Sequence, residues 1–178
     1  MQTITLHNKP FEVFIPETEI SAIVHSMANA INDTGMKNPL FIAVMNGAFL
    51  FAADVMRKIT IPNAEISFIK LSSYSGTETT GEVNELIGIS GNISGRNIVI
   101  LEDIIDTGIT LGKIMSLLKK ENVADIKIAT LLFKPESYKS DIPIDYIGKS
   151  IPNDFVVGYG LDYDEIGRNL PHIYKLKD

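Results

Sequence analysis

A chain of 178 residues suits one domain with a single core, and folding at this size removes about 70% of the surface an unfolded chain exposes. Its 45% apolar and 21% charged residues argue against disorder, and the lack of cysteine excludes a disulfide scaffold, a zinc–thiolate site, an iron–sulfur cluster and a thiol nucleophile. A net charge of −6 argues against a broad nucleic-acid surface, so an anionic ligand would be held locally by backbone N–H groups, a few basic side chains or a metal ion.

No basic segment followed by a long apolar run opens the chain, and stretches such as Phe49–Ala53 fall far short of the roughly 20 residues a membrane span needs. The expectation is a soluble, cytoplasmic protein with no membrane or nucleic-acid partner. Ile20, Ile23, Val24, Met27 and Ile31 recur at three- and four-residue steps and predict a helix from about Pro16 to Asn32, with Gly35 suited to its exit. Leu40–Met45 is a short unbroken apolar run, which reads as a strand buried on both faces. Asn46-Gly47 interrupts it. Ala48–Ile59 then reads as a helix that buries Phe51, Ala52, Val55 and Ile59 and leaves Asp54, Arg57 and Lys58 outside.

Ala64–Leu71 is a second strand, with Ile66 and Phe68 inward and Ile69 a further candidate. Ser72–Glu85 is polar, carries two glycines and reads as a mobile loop or loose hairpin, from which Val83–Ser90 returns as a strand. Ile98–Leu101 is the most strand-like segment of the chain and runs directly into Glu102–Thr110. Leu111, Ile114, Met115 and Leu118 give helical spacing to about Lys120, and Asp125–Phe133 is the next strand. Beyond it, Ile144–Gly148 and Phe155–Tyr159 read as short strands separated by Pro152, and Ile173–Leu176 as an edge strand. Strands that alternate with helices predict an α/β fold: a doubly wound, mostly parallel sheet flanked by helices. Residues 1–178 form one domain on this reading, with a core over about 36–134 and a small hood from about 1–15 and 135–178.

In such a sheet ligands bind at the carboxyl ends of the strands. Asn46-Gly47, Glu102–Thr110 and Lys134 all fall there. Asp106-Thr107-Gly108-Ile109-Thr110 leads into a helix, so its successive N–H groups, the helix N-terminus and the Thr107 and Thr110 hydroxyls suit a phosphate monoester. Asp106 or Thr107 acting only as a helix cap would leave Glu102 and Asp103 unexplained at the end of a buried strand. The segment lacks the glycine run and lysine of a Walker loop. Adjacent acids repel a bare phosphate; they make better sense beside a diol, or beside a magnesium ion holding one.

The string Val99-Ile100-Leu101-Glu102-Asp103-Ile104-Ile105-Asp106-Thr107-Gly108-Ile109-Thr110 closely resembles the phosphoribosyl-diphosphate signature of type I phosphoribosyltransferases, within them the hypoxanthine/guanine branch. Val44–Asp54 looks like that family's diphosphate loop and following helix. Ser73-Tyr74 falls where it has a Ser-Tyr pair on a flexible loop, and Leu131–Pro135 looks like the strand carrying its purine-reading lysine. Ile151–Tyr163 resembles its purine-pocket segment, with Arg168 six residues past Asp162. Five motifs stand in the family's order over roughly Leu40 to Tyr174.

The resemblance implies a magnesium-dependent transfer of phosphoribose from phosphoribosyl diphosphate to hypoxanthine, and to guanine, giving IMP or GMP and diphosphate. Asp106 matches the general base facing N7 of the purine. The 5′-phosphate cradle matches Asp106, Thr107, Gly108, Ile109 and Thr110, and the acids beside the ribose hydroxyls match Glu102 and Asp103. Magnesium would be held at Glu102, Asp103 and Asp162. Met45-Asn46 matches a peptide the family holds, or switches to, cis; Asn46, Gly47 and Arg168 match the diphosphate contacts. Lys134 matches the donor to purine O6, Phe155 the stacking aromatic, and Val156 and Asp162 residues whose main chain meets the base edge. Ser73 and Tyr74 match the loop that closes over the site. Some members carry a basic residue at Asn46, several a lysine or another polar residue at Ile109, and some an extra lysine at Ser72, so this site would lean harder on metal and backbone. The family also implies a homodimer or homotetramer, for which the surface near Ala48–Ile59 could serve. The alternative is a purine- or nucleotide-binding regulator on the same fold, against which the acidic balance and the intact Asp106, Glu102 and Asp103 argue.

Overall fold

The computed structural model describes residues 3–71, 85–87, 89 and 91–177. An N-terminal hairpin opens the chain: β1 (Thr3–Leu6) and β2 (Lys9–Ile15) turn through His7 and Asn8, both at positive φ. Helix α1 (Glu17–Asn32) follows Pro16, whose extended backbone leads into the first turn. Glu17 and Glu19 there complement the positive end of the helix dipole. Its stripe of Ile20, Val24, Met27 and Ile31 is buried, each side chain contributing about 1.5–3 kcal/mol.

β3 (Leu40–Val44) is buried along its whole length. α2 (Phe49–Met56) is shorter than its apolar spacing predicts, because past Met56 the chain tightens into three-residue turns, Lys58 N–H to Val55 O and Ile59 N–H to Met56 O. β4 (Glu65–Leu71), β5 (Glu85–Ile87), β6 (Asn97–Ile105), α3 (Ile109–Leu118, with a 3-10 turn to Glu121) and β7 (Asp125–Phe133) follow in turn. β8 (Tyr146–Ser150), β9 (Val156–Val157) and β10 (Ile173–Leu176) complete the described strands.

The main sheet runs β5-β4-β3-β6-β7-β8, parallel throughout except for β5. Alternation along β6 divides the core. Val99 and Leu101 join the cluster beneath α1 and α2, and Ile98 and Ile100 join the cluster beneath α3. The sheet is thus covered on both faces, as a doubly wound fold requires. A second sheet, β1-β2-β10-β9, is antiparallel and forms the hood.

Four expectations change. Ile66 and Phe68 are 38% and 40% exposed, whereas Ile69 is fully buried. The pleat turns Ile69 toward the α3 cluster, and its neighbours fall on the other face, which the short α2 leaves uncovered there. The strand expected at Ile144–Gly148 begins two residues later and belongs to the main sheet, paired in parallel with β7, so the sheet continues past residue 134. Ile173–Leu176 is an interior strand of the hood, between β2 and β9. Asp54 lies half-buried, its carboxylate taken by the Tyr159 hydroxyl at 2.7 Å.

Candidate active site

Strand order reverses between β3 and β6. From β3 the chain proceeds outward to β4; from β6 it proceeds the other way, to β7 and β8. A crevice at such a switch point is where a doubly wound sheet binds its ligand. The segments that leave β3 and β6 there are Met45–Ala48 and the acid-rich end of β6.

The Met45–Asn46 peptide is cis. The Met45 N–H donates to Ile69 O at 2.8 Å, which ties the loop to β4. Gly47 is required by contact: a Cβ there would collide with the Asp103 carboxylate. On the other side Gly160 presses against the Gly47 carbonyl, again with no space for a side chain.

β6 runs four residues further than Leu101, because its pairing with β7 continues through Ile104↔Leu132 and Ile105↔Phe133. Glu102 and Asp103 therefore lie inside the strand, and the pleat sends them to opposite faces. Glu102 is 4% exposed and lines a cavity of about 100 Å³ with the Asp106–Leu111 turn. Burial, followed by repulsion from Asp103, raises its carboxyl well above the usual range. Asp103 faces Gly47. Burial pushes it up to about 6, against the pull of the Ile104 and Asp103 N–H groups and of Arg168, while Asp162 pushes the same way as burial.

Arg168 orders this second face. Its guanidinium pairs with Asp162 Oδ1 at 2.8 Å and donates to Gly160 O at 2.9 Å. Asp162 Oδ2 accepts the Glu165 N–H at 2.8 Å. Among the described residues no group of three or more acidic or histidine side chains converges on one point.

The turn after β6 enters α3 at Gly108, whose φ of +83° and contact with the Tyr138 ring leave no place for another residue. The first N–H groups of α3 have no carbonyl of their own helix to bond. With Thr107 and Thr110 they line the small cavity. Ile109 stands 64% exposed beside them. Register also explains the pairing across the strand ends. Because Ile105 sits opposite Phe133, Asp106 and Lys134 come next to each other, with Lys134 Nζ 3.2 Å from Asp106 Oδ2. Lys134 is only 9% exposed, so the cation is held beneath the crevice and not in solvent.

Phe155 is 46% exposed, its ring edge-on to Tyr163 at 5.4 Å and tilted against Phe11 at 6.2 Å. Val156 is 7% exposed and paired with β10, so only its main chain is open to a ligand role. Ser73 and Tyr74 lie outside the described residues.

A family model for the phosphoribosyl transferase domain matches residues 16–164. The chain belongs to the phosphoribosyltransferase family. A hypoxanthine-guanine phosphoribosyltransferase of Staphylococcus epidermidis is 41% identical over 174 residues, 97% of each chain. A hypoxanthine phosphoribosyltransferase structure from Staphylococcus aureus superposes with a TM-score of 0.85 at 39% identity, covering 93% of this chain and 91% of that one. One from Trypanosoma cruzi, whose C-terminal region was studied for its role in oligomeric state and activity, gives 0.87 at 32% identity, covering 98% and 95%.

For a phosphoribosyltransferase, the arrangement brings Gly47, Asp103, Asp162 and Arg168 to one side of β6, and Glu102 with the Asp106–Thr110 turn to the other. The sequence reading missed Tyr138 as the wall that forces glycine at 108 and the Gly47 carbonyl as the wall that forces glycine at 160. The left-handed stretch 158–160 was legible only as a tyrosine between two glycines. A larger cavity of about 480 Å³ lies between α1, α2 and residues 169–171, away from the strand carboxyl ends, so size alone would have pointed to the wrong place. Among the described residues no helix is long and apolar enough to cross a membrane.

Proposed function

We propose that the protein transfers the 5-phosphoribosyl group from phosphoribosyl diphosphate to N9 of hypoxanthine, and of guanine, giving IMP or GMP and diphosphate, a purine-salvage reaction. The observation that carries the reading is the convergence at one switch point of an anion-binding turn, a carboxylate and a buried lysine: Thr107–Thr110, Asp106 and Lys134. The named relatives support the same reaction.

The chemistry forms a bond from N9 to the anomeric carbon and breaks the bond from that carbon to the diphosphate oxygen. The purine must shed a proton, and Asp106, at the rim of the crevice, accepts or stabilises it. Lys134 donates to purine O6; its place beside Asp106 spans a ring edge between the two. The α3 N-terminus with Thr107 and Thr110 holds the 5′-phosphate. Glu102 and Asp103 flank the ribose hydroxyls from the two faces of β6. Asn46, Gly47 and Arg168 face the diphosphate, and Phe155 stacks on the base, with the main chain of Val156 and Asp162 at its edge.

Magnesium fits the donor set. Asp103 and Asp162 supply carboxylate oxygens on one face of β6 and Glu102 on the other, so they would serve separate ions, each taking one or two carboxylates with substrate phosphates and water. Magnesium would be held at these acids and would neutralise the departing diphosphate. The exposed side chains Phe49, Ile66 and Phe68, at 36%, 38% and 40%, support a homodimer or homotetramer built on the α2–β4 surface.

Initial rates with hypoxanthine, guanine, xanthine and adenine test the reading, run with magnesium and with EDTA beside Asp106→Asn. The expected result is IMP formation that needs magnesium and falls by about 10²–10⁴ in the variant. No nucleotide from any base, with folded protein, would overturn it.

A further inference from the structure

Tyr159 has no part in the chemistry above, yet it occupies an unusual place. It is 6% exposed and adopts a φ of +49°, a region that a bulky side chain rarely enters. Gly158 and Gly160 on either side are also left-handed, at +104° and +100°. Backbone bonds stitch this turn together. Gly158 N–H donates to Leu161 O at 3.0 Å, Tyr159 N–H to Leu170 O at 2.8 Å, and Gly160 N–H to Arg168 O at 2.9 Å. A strained residue held by so many partners is a reason to ask what the conformation achieves.

It aims the ring back at α2. The Tyr159 hydroxyl donates to Asp54 Oδ2 at 2.7 Å. Burial and that bond raise the phenol above its ordinary range, so it remains a donor at any physiological pH. Two contacts thus join the same two pieces of chain. At the start of α2, Gly160 rests on the Gly47 carbonyl. About two helical turns on, Asp54 grips Tyr159. A single contact would allow α2 to pivot on the hood; two contacts set its register.

The far side of the same turn carries the Asp162–Arg168 pair, with Arg168 bonded to Gly160 O. We propose that Tyr159, through Asp54, is a positioning residue that sets the Gly47 loop against Arg168 and Asp162, and so tunes the grip on the diphosphate donor. This rests on the reading of that face as the phosphoribosyl diphosphate site. Neither side chain touches the reacting atoms.

Tyr159→Phe removes the hydroxyl and keeps the ring. The expected result is a KM for phosphoribosyl diphosphate about tenfold higher, the scale of a lost hydrogen bond to a charged group, with kcat within about threefold and the KM for hypoxanthine within about twofold. Asp54→Ala should match it, Asp54→Asn should restore most of the loss because it keeps an acceptor, and the Asp54→Ala/Tyr159→Phe double variant should be no worse than either single change. Lower thermal stability with both KM values unchanged, or both moved equally, would reduce the pair to a structural role and overturn the proposal. Calorimetric titration of phosphoribosyl diphosphate with magnesium, on wild type and Tyr159→Phe, reads the same contrast without turnover. A wild type that binds the donor but forms no nucleotide would sink the activity and leave the positioning claim to the Kd ratio; no binding by the wild type would sink both.

Discussion

Asp103→Asn should make the protein more stable at neutral pH and less active. The folded carboxyl of Asp103 sits at about 6, raised chiefly by burial, against about 3.9 for an aspartate in an unfolded chain. A raised acid binds more protons in the folded state, so its contribution to stability is complete below pH 4 and is lost as pH climbs through 6. The gap of about two units is worth roughly 3 kcal/mol, and residual solvent contact reduces that to about 2 kcal/mol. Asparagine has the same shape, stays neutral at every pH, and its side-chain oxygen can still accept the Ile104 N–H. Urea unfolding of wild type and variant from pH 4 to 8 should therefore show equal stabilities at the acid end and a difference growing between pH 4 and 6 to a plateau of about 2 kcal/mol in favour of the variant. Differences between the two proteins at each pH cancel the other titrating groups. A gap that does not change with pH, or a variant less stable at pH 7.5, would refute the account of Asp103 as a charge held at a cost in stability for the sake of the site.

Three further outcomes follow from contacts. Gly47→Ala drives a methyl into the Asp103 carboxylate, and a displacement of about 1 Å at a diphosphate loop should lower kcat/KM about 100-fold in steady-state assays while far-UV circular dichroism stays native. Gly108→Ala adds a positive-φ penalty to a contact 2.7 Å from Tyr138 Cε2, so a melting experiment should show about 1–3 kcal/mol lost, with a raised KM for phosphoribosyl diphosphate. Phe155→Ala removes an exposed ring and should raise the KM for hypoxanthine about tenfold with little change in thermal stability, as stacking on a base is worth about 1–3 kcal/mol; equal loss of both properties would make Phe155 a core residue instead.

Much of the fold was legible because burial writes itself into local pattern. The stripe Ile20, Val24, Met27, Ile31 predicts α1, and the apolar run Asp125–Phe133 coincides with β7. Pattern failed where an apolar residue's neighbours are decided elsewhere. Ile66 and Phe68 have the same chemistry as Ile69, and only the span of α2 across the sheet determines which of them is covered. Tyr146–Ser150 carries no sign of the sheet it joins, since pairing with β7 depends on where the connection after Lys134 delivers it.

The candidate site divides along the same line. Contiguous sequence determined its ingredients: acids at the end of a buried strand, a turn entering a helix, and a lysine after the next strand. Those are local, because strand ends and helix starts are local events. Which of them meet was decided by tertiary structure alone. Parallel register set Asp106 beside Lys134, and the folding of a distant left-handed turn onto α2 brought Tyr159 to Asp54 and Gly160 to Gly47. No spacing along one chain encodes those meetings, because each depends on two segments more than twenty-five residues apart arriving at the same point.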